Sequence, residues 1–423
     1  MPHPASASHH NHLHRFRRAD DPEQRSQALE HIARTAPSAT VAAVAAEALA
    51  DADAGIREQA SYLLVEQPTL EDAEHVAPHI ASEDITTRNL AGEVLVQMGT
   101  VAVEALAPYL ADDNHDTRKF AIDVLAQLPD AARPLAPEIA KALDDPDANV
   151  RLAAIAALGE LGAAEYSDEL RARYDEHPLA RPDVVHAMGA FGPQADLELL
   201  EDALGDENPV VQLAATEALS TLHAPEVLDL LLRKVDDVDP MARPVVLNGI
   251  VERCQTQQAP PELPARLKVY FLDMLSDPSP EYRCAAAQGL RFFSDEGTFE
   301  AMLAHAGHDD DLDMELFKTL TTHPEPFLPV YRTTETGQMD GGTAATFTVG
   351  LLAQGAVQEP YMARAGTFLQ RHFEALSADD KMTAIGLCQQ LDRPELQGVL
   401  LAAQSDPDPS ISSFAADTAS PFA

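Results

Sequence analysis

Along residues 145–162, DPDANVRLAAIAALGELG, the apolar side chains fall on one helical face. Val150, Ala154, Leu158 and Leu161 stand at i, i+4, i+8 and i+11, the spacing of an amphipathic helix and not the alternation of a strand. Asp145 is placed to cap the free N–H groups at the start, Pro146 suits the first helical position, and Gly162 suits a left-handed ending. The preceding RPLAPEIAKAL is a second amphipathic segment, so the two together predict a helical hairpin. One such hairpin has too little apolar area to stand alone; stacking on its neighbours buries the exposed faces.

The hairpin recurs. Aligned on Arg151, the chain shows Arg25, Arg57, Arg88, Arg118, Arg151, Arg181, Gln212 and Arg243 at intervals of 30 to 33 residues. Arg283 follows after 40 residues, because CQTQQAPPELPA at 254–265 interrupts the series, and Lys381 and Ser412 resume it 31 apart. Eight positions before the anchors stand Leu49, Ile80, Leu110, Leu143, Leu204, Val235 and Leu275. Six positions before them stand Asp51, Asp112, Asp145, Asp206, Asp237, Asp277 and Asp406, with Ser82 as a substitute. A period of this length marks a repeat architecture. The predicted fold is all-α, an α-solenoid (superhelix) of about thirteen hairpins of about 32 residues each.

The pattern Leu-x-Asp-x-Asp-x-x-Val-Arg-x-x-Ala-Ala resembles the HEAT-repeat family, in its phycobilisome-lyase-like subtype. LADADAGIREQA, LDDPDANVRLAA, LGDENPVVQLAA and SDPDPSISSFAA carry the likeness. The resemblance implies a hydrogen-bonded ladder of Asp and Arg along the inside of the stack. Its rungs would be Asp51 with Arg57, Asp112 with Arg118, Asp145 with Arg151, Asp237 with Arg243 and Asp277 with Arg283. Gln212 and Ser412 depart from the pattern and are expected to weaken it. A ladder spread over many units reads as structural, since catalysis would need one special copy. The likeness specifies a fold and hardly an activity. Members of the subtype attach or detach bilins, so a lyase-like enzyme subunit is the alternative function it implies. Deoxyhypusine hydroxylase, a helical-repeat enzyme that binds metal through His-Glu dipeptides, is a poor match, because no such dipeptide occurs here.

The expected organisation runs from a polar, disordered His/Arg-containing tail (1–20) through a repeat array (21–252) to a Pro/Gln-rich insertion (253–266). HEAT-like repeats at 267–322, a loop-rich degenerate stretch at 323–361 and C-terminal repeats at 362–423 follow. Proline, glycine and threonine in HPEPFLP and GQMDGGTAATFTVG predict short helices or longer loops in the degenerate stretch.

Charge changes the functional picture. The 423 residues hold 69 acidic and 29 basic side chains, a net charge of −40, and only six of the bases are lysine. Self-repulsion of this size opposes compaction unless salt screens it. At about 1 M salt the Debye length falls to roughly 3 Å. The composition resembles that of haloarchaeal proteins and predicts a halophilic cytoplasm. Nucleic acid is excluded as a general partner, because phosphate contacts need clustered Lys and Arg. No apolar run reaches the roughly 20 residues that span a bilayer, so no membrane role is expected and a cytoplasmic location is. Three scattered cysteines, Cys254, Cys284 and Cys388, fit neither a disulfide framework nor a zinc site and read as small core residues. Zero tryptophan and 5% aromatics suit close-packed Ala/Leu helices.

The remaining chemistry is sparse. HHNHLHRFRR gathers four histidines and three arginines that could hold a metal or dock on an acidic surface in cis or trans. His75 and His79 stand four apart around Pro78, and His305 and His308 lie among aspartates, the latter reading as a solvated turn. No nucleophile elbow or phosphate loop is present, so no catalytic, cofactor or metal residues are assigned. The expectation is a non-enzymatic scaffold or adaptor, possible in signalling such as taxis, that binds one or more proteins carrying basic or amphipathic segments. An assembly chaperone is a further alternative.

Overall fold

The computed structural model describes residues 4–222, 224–256, 262–293 and 295–419; among these there is no strand. Two compact units are present, one up to residue 230 and one from residue 231. Each is an α-solenoid of antiparallel hairpins. With Pro129–Ala132 and Ala136–Lys141 counted as one interrupted helix, the helices of the described residues pair in order into thirteen hairpins, seven of them before residue 222.

The first hairpin corrects the sequence reading. Pro4–Arg18, expected to be part of a disordered tail, is a helix and packs on Pro22–Thr35. Phe16 anchors it at 4% exposure beside the buried Leu29 and Ile32. His12 stacks on His31 with ring centroids 3.7 Å apart, and Arg17 grips Glu47 of the next hairpin at 2.8 Å. The basic segment thus docks in cis on the acidic body. A buried aromatic, a ring stack and an ion pair join it to the body, and composition alone hid them.

Helix entry also differs from the expectation. The repeat's second helix begins at Ala148, not at Pro146, and its cap is Asp147, whose carboxylate accepts the N–H groups of Asn149 and Val150. Asp145 sits one step earlier and accepts the Asp147 N–H at 2.9 Å, closing the turn that delivers the cap. Asp51 and Asp53 repeat this division of labour, as do Asp206 and Asn208. The predicted ending is as observed: Gly162 has φ +60°, and the Ala163 N–H reaches back to Leu158 O at 2.9 Å.

In the first unit the second helices of successive hairpins lie side by side. Ala148–Glu160 packs on both His115–Ala126 and Arg181–Ala190, and Arg181–Ala190 packs on Pro209–Thr221. Val150, Ala154, Leu158 and Leu161, predicted to share a face, are all buried. Each fully buried leucine of this kind contributes roughly 1.5–3 kcal/mol. Two glycines set the spacing. A Cβ on Gly159 would lie 2.8 Å from Ala187 Cα, and one on Gly189 would lie 2.6 Å from Ala218 Cβ and 2.9 Å from its Cα.

The second unit fills its core differently. The largest fully buried side chains include Phe271, Phe299, Phe327, Phe368 and Phe373, all in this unit. Phe327 and Phe368 meet edge to face at 6.0 Å. Thr319 Oγ1 donates to Ala287 O at 2.9 Å, a buried bond between neighbouring hairpins. The stretch expected to be loop-rich holds two regular helices, Phe327–Glu335 and Gly341–Ala353. Asp340 caps the second through Gly342 and Thr343, and Thr348 turns its hydroxyl back to Ala344 O at 2.8 Å. Gly342, Thr343 and Thr348 therefore serve the cap and the helix, while Gly337 and Gly355 take positive φ in the turns that bound it. Residues 257–261 of the predicted insertion lie outside the described residues; its first residues end the helix Arg243–Thr256 and its last begins Arg266–Met274.

Gly189→Ala tests the close approach. Helix propensity favours alanine by about 1 kcal/mol, whereas overlap with the Ala218 backbone costs roughly 1–3 kcal/mol. A lower melting temperature by circular dichroism is expected; a higher one would contradict the packing.

Candidate functional site

The repeated arginine uses both sides of its guanidinium. In Arg118, Nη1 donates to the backbone oxygens of Asp112 at 2.8 Å and Asp113 at 3.2 Å, holding its own turn. Nε and Nη2 donate, each at 2.8 Å, to the two carboxylate oxygens of Asp145 in the next hairpin. Arg25 repeats the arrangement, with Ala19 O and Asp20 O on one side and Asp51 on the other at 2.9 Å. Arg283 holds Asp277 O and Pro278 O and pairs with Asp309. Two parallel N–H···O bonds give such pairs both strength and direction.

This geometry corrects the expected rungs. Within a hairpin the arginine meets the aspartate's backbone oxygen, as in Asp51 with Arg57, Asp112 with Arg118, Asp145 with Arg151 and Asp277 with Arg283. The carboxylates of Asp51 and Asp145 belong to Arg25 and Arg118 of the preceding hairpins, whereas those of Asp112 and Asp277 accept the N–H groups of Asn114 and Ser279 in their own turns. Asp237 and Arg243 are not joined at all: Arg243 donates to Val235 O and Val238 O and covers the Tyr270 ring at 4.6 Å. Where Ser82 replaces aspartate, Arg57 makes only backbone bonds, to Asp51 O and Ala52 O. Gln212 keeps half of the device, donating to Asp206 O at 2.7 Å, and Lys381 keeps the other half, donating to Asp406 at 2.8 Å.

Two rungs escaped the sequence reading. Asp206 accepts from Arg181 at 2.8 Å and from Tyr174 OH at 3.1 Å. Asp309 takes Arg283. The signal that finds both is an acid 25 to 27 residues after the anchor, the spacing seen at Arg118, Arg181, Arg283 and Lys381. The Arg118 hydrogen bond holds the Asp145 carboxyl below its ordinary range, outweighing burial. Burial pushes the Asp51 carboxyl up, but the bonds from Arg25 and the Asp53 N–H carry it below the ordinary value. Lys381 does the same for Asp406.

The second unit carries an acidic groove on its second helices. Asp310–Leu320, Gly341–Ala353 and Ala378–Leu391 contribute Met314, Phe317, Phe347, Asp310, Asp313 and Asp380 to a cavity of about 380 Å³. Phe317 and Phe347 meet edge to face at 5.6 Å and form its apolar part, with Met314 51% exposed. Asp380 accepts the Thr346 hydroxyl at 2.8 Å. Burial raises the Asp313 carboxyl even though the Gly307 N–H donates to it, and Asp310 and Asp309 add to the rise.

The other candidates do not converge. His75 ends the helix Leu70–Val76, whereas His79 lies in the tighter turn Ala77–Ala81, so Pro78 breaks the shared face. Among the described residues no group of three or more His, Cys, Asp or Glu is placed to hold a metal. No helix among them is long and apolar enough to cross a membrane. Burial pushes the thiols of Cys254 and Cys388 up to about 11 and about 12, as befits core residues.

Comparison with known proteins agrees with this geometry. The family model for HEAT repeats matches residues 103–182, 136–220 and 170–250. No curated protein matches the chain. Among solved structures the chain is similar to Kap95p binding RanGDP, at 11% identity and TM-score 0.51, over 98% of this chain and 66% of that one. It is also similar to Kap121p bound to RanGTP, at 13% identity and TM-score 0.50, over 100% of this chain and 57% of that one. Kap121p bound to Pho4p gives 12% identity and TM-score 0.50, over 99% and 57%. The chain thus spans about half to two thirds of the length of these HEAT solenoids. At such identities the likeness is one of fold.

A double-mutant cycle on Arg118→Gln and Asp145→Asn tests the ladder. Each single change should cost roughly 2 kcal/mol in urea unfolding, with strong coupling between them. Because the Asp145 carboxyl is depressed, its stabilisation is present above the ordinary value of 3.8 and is lost as pH falls through its lower folded value. Asp145→Asn should therefore flatten the acid limb of the stability profile. Additive singles, or an unchanged acid limb, would contradict the pairing.

Proposed function

We propose that the protein is a non-enzymatic interaction scaffold or adaptor that holds a partner protein along its second helices. The observation that carries this reading is the groove at Met314, Phe317 and Phe347, rimmed by Asp310, Asp313 and Asp380. An apolar floor with an acidic rim complements an amphipathic segment whose apolar side chain is flanked by Lys or Arg. Stacked hairpins offer long surfaces of this kind without a catalytic pocket. Kap95p and Kap121p, similar in fold, are known in complexes with proteins, which supports the same use here. The net charge of −40 fits work in a salt-rich cytoplasm, where screening offsets self-repulsion, and signalling such as taxis is a setting that suits an adaptor.

Binding is tested with a labelled peptide of one leucine or phenylalanine between lysines, in molar salt. Wild-type protein should bind it, and Met314→Glu, at an exposed position, should weaken binding about tenfold. Equal binding by both proteins, or none by wild type, contradicts the reading. The salt requirement is tested by circular dichroism during dilution of salt to the millimolar range. Loss of cooperative melting is expected, and retained helicity with a cooperative transition would overturn the halophilic assignment.

A further inference from the structure

At Arg151 the ladder meets an unusual turn. Its Nη1 is clamped as elsewhere, on Asp145 O at 2.7 Å and Pro146 O at 3.2 Å. In Arg25, Arg118 and Arg283 this clamp presents the Nε–Nη2 edge to a carboxylate of the following hairpin. The Arg151 edge meets none among the described residues. Asp175, six residues before the next anchor, stays exposed within the helix Ser167–Glu176, and Glu176, 25 residues after Arg151, pairs with Arg173 instead. The turn that follows reads His177-Pro178-Leu179-Ala180 and lacks the Asp-x-Asp sequence that brings a carboxylate inward.

A cavity of about 240 Å³ lies there instead, lined by Arg151, Leu152, Ile155, Arg173, His177 and Leu179 among others. Two features mark it as more than a packing gap. The Nε of Arg173 is buried and donates to nothing among the described residues, although the Nη atoms of Arg173 hold Asp144 and Glu176. Leu179 is 94% exposed on a chain whose surface is otherwise heavily acidic.

We propose that this cavity binds the terminal carboxylate of a polypeptide chain whose last side chain is apolar. The carboxylate takes the position that aspartate fills on the other rungs and accepts two parallel bonds from Arg151. The last side chain lies against Leu152, Ile155 and Leu179. Size favours a chain terminus. The volume falls below the roughly 300–1,000 Å³ of drug-sized sites, and within a polypeptide only the terminal residue carries a carboxylate and an apolar side chain on one carbon. Arg57 and Arg243 also lack a carboxylate partner, but Arg151 presents its guanidinium to a cavity with apolar walls, a setting that selects an anion. The site lies in the first unit, does not rest on the groove described above, and is tested independently.

The test uses the full-length protein and fluorescence anisotropy with a short labelled peptide ending in leucine. Three forms are compared: the free acid, the terminal amide, and an amide with glutamate before the leucine. The free acid should bind and the plain amide should bind about tenfold more weakly or worse. Arg151→Gln should weaken acid binding similarly, whereas Arg57→Gln, which also lacks a carboxylate partner but does not line this cavity, should leave it unchanged. Leu179→Asp, at a position too exposed to affect folding, should also abolish binding and serves where Arg151→Gln unfolds. No binding of the free acid, equal binding of acid and amide, or undiminished binding by either cavity variant overturns the proposal. Preference for the internal glutamate overturns the assignment to a chain terminus.

Discussion

A guanidinium has two usable sides, and this chain spends one on the turn that presents it and the other on the turn of the next hairpin. The Arg118 clamp shows both: backbone oxygens of residues 112 and 113 on one side, both oxygens of Asp145 on the other. Asp145 in turn accepts the Asp147 N–H, and Asp147 caps the next helix. A single chain of bonds therefore fixes how one hairpin's second helix starts relative to its neighbour's. The rest of the first unit follows from that alignment, since the glycine–alanine approaches at 159 and 189 require the helices to meet in register. Small residues then bring the backbones close, and leucines and valines fill what remains.

The device is modular and tolerates partial loss. Gln212 retains the backbone half, Lys381 the carboxylate half, and Arg57 the backbone half alone. Each hairpin also keeps its buried apolar face, so no single rung decides folding. A stack built on nearest-neighbour terms behaves in this way, with local weakening instead of collapse. It also leaves places where a ladder residue is free for another use, and Arg151 is the clearest of these.

Much of this was legible from the sequence, for physical reasons. The helical period, the 30–33-residue repeat and the left-handed glycine at 162 are local features, and local features survive in a linear text. The partner of each arginine was misread because spacing within a motif draws the eye to the nearer aspartate. Where an arginine has a carboxylate partner, as Arg118 and Arg181 do, it lies 25 to 27 residues away. The N-terminal helix was missed because histidine and arginine dominate its composition, while the contacts that join it to the body are made by Phe16, His12 and Arg17. In 323–361, glycine and threonine read as loop formers; capping by Asp340 and back-bonding by Thr348 make them helical. The groove at Phe317 and Phe347 joins helices more than twenty residues apart, and no local pattern announces it.

Native-state hydrogen exchange on Arg118→Gln tests most directly whether the arginine couples one hairpin to the next. Amides of His115–Ala126 and Ala148–Glu160 should lose protection together, with Ala54–Val65 left near its wild-type value. Protection that falls in His115–Ala126 alone, or equally throughout the first unit, would show that the guanidinium does not join neighbouring hairpins.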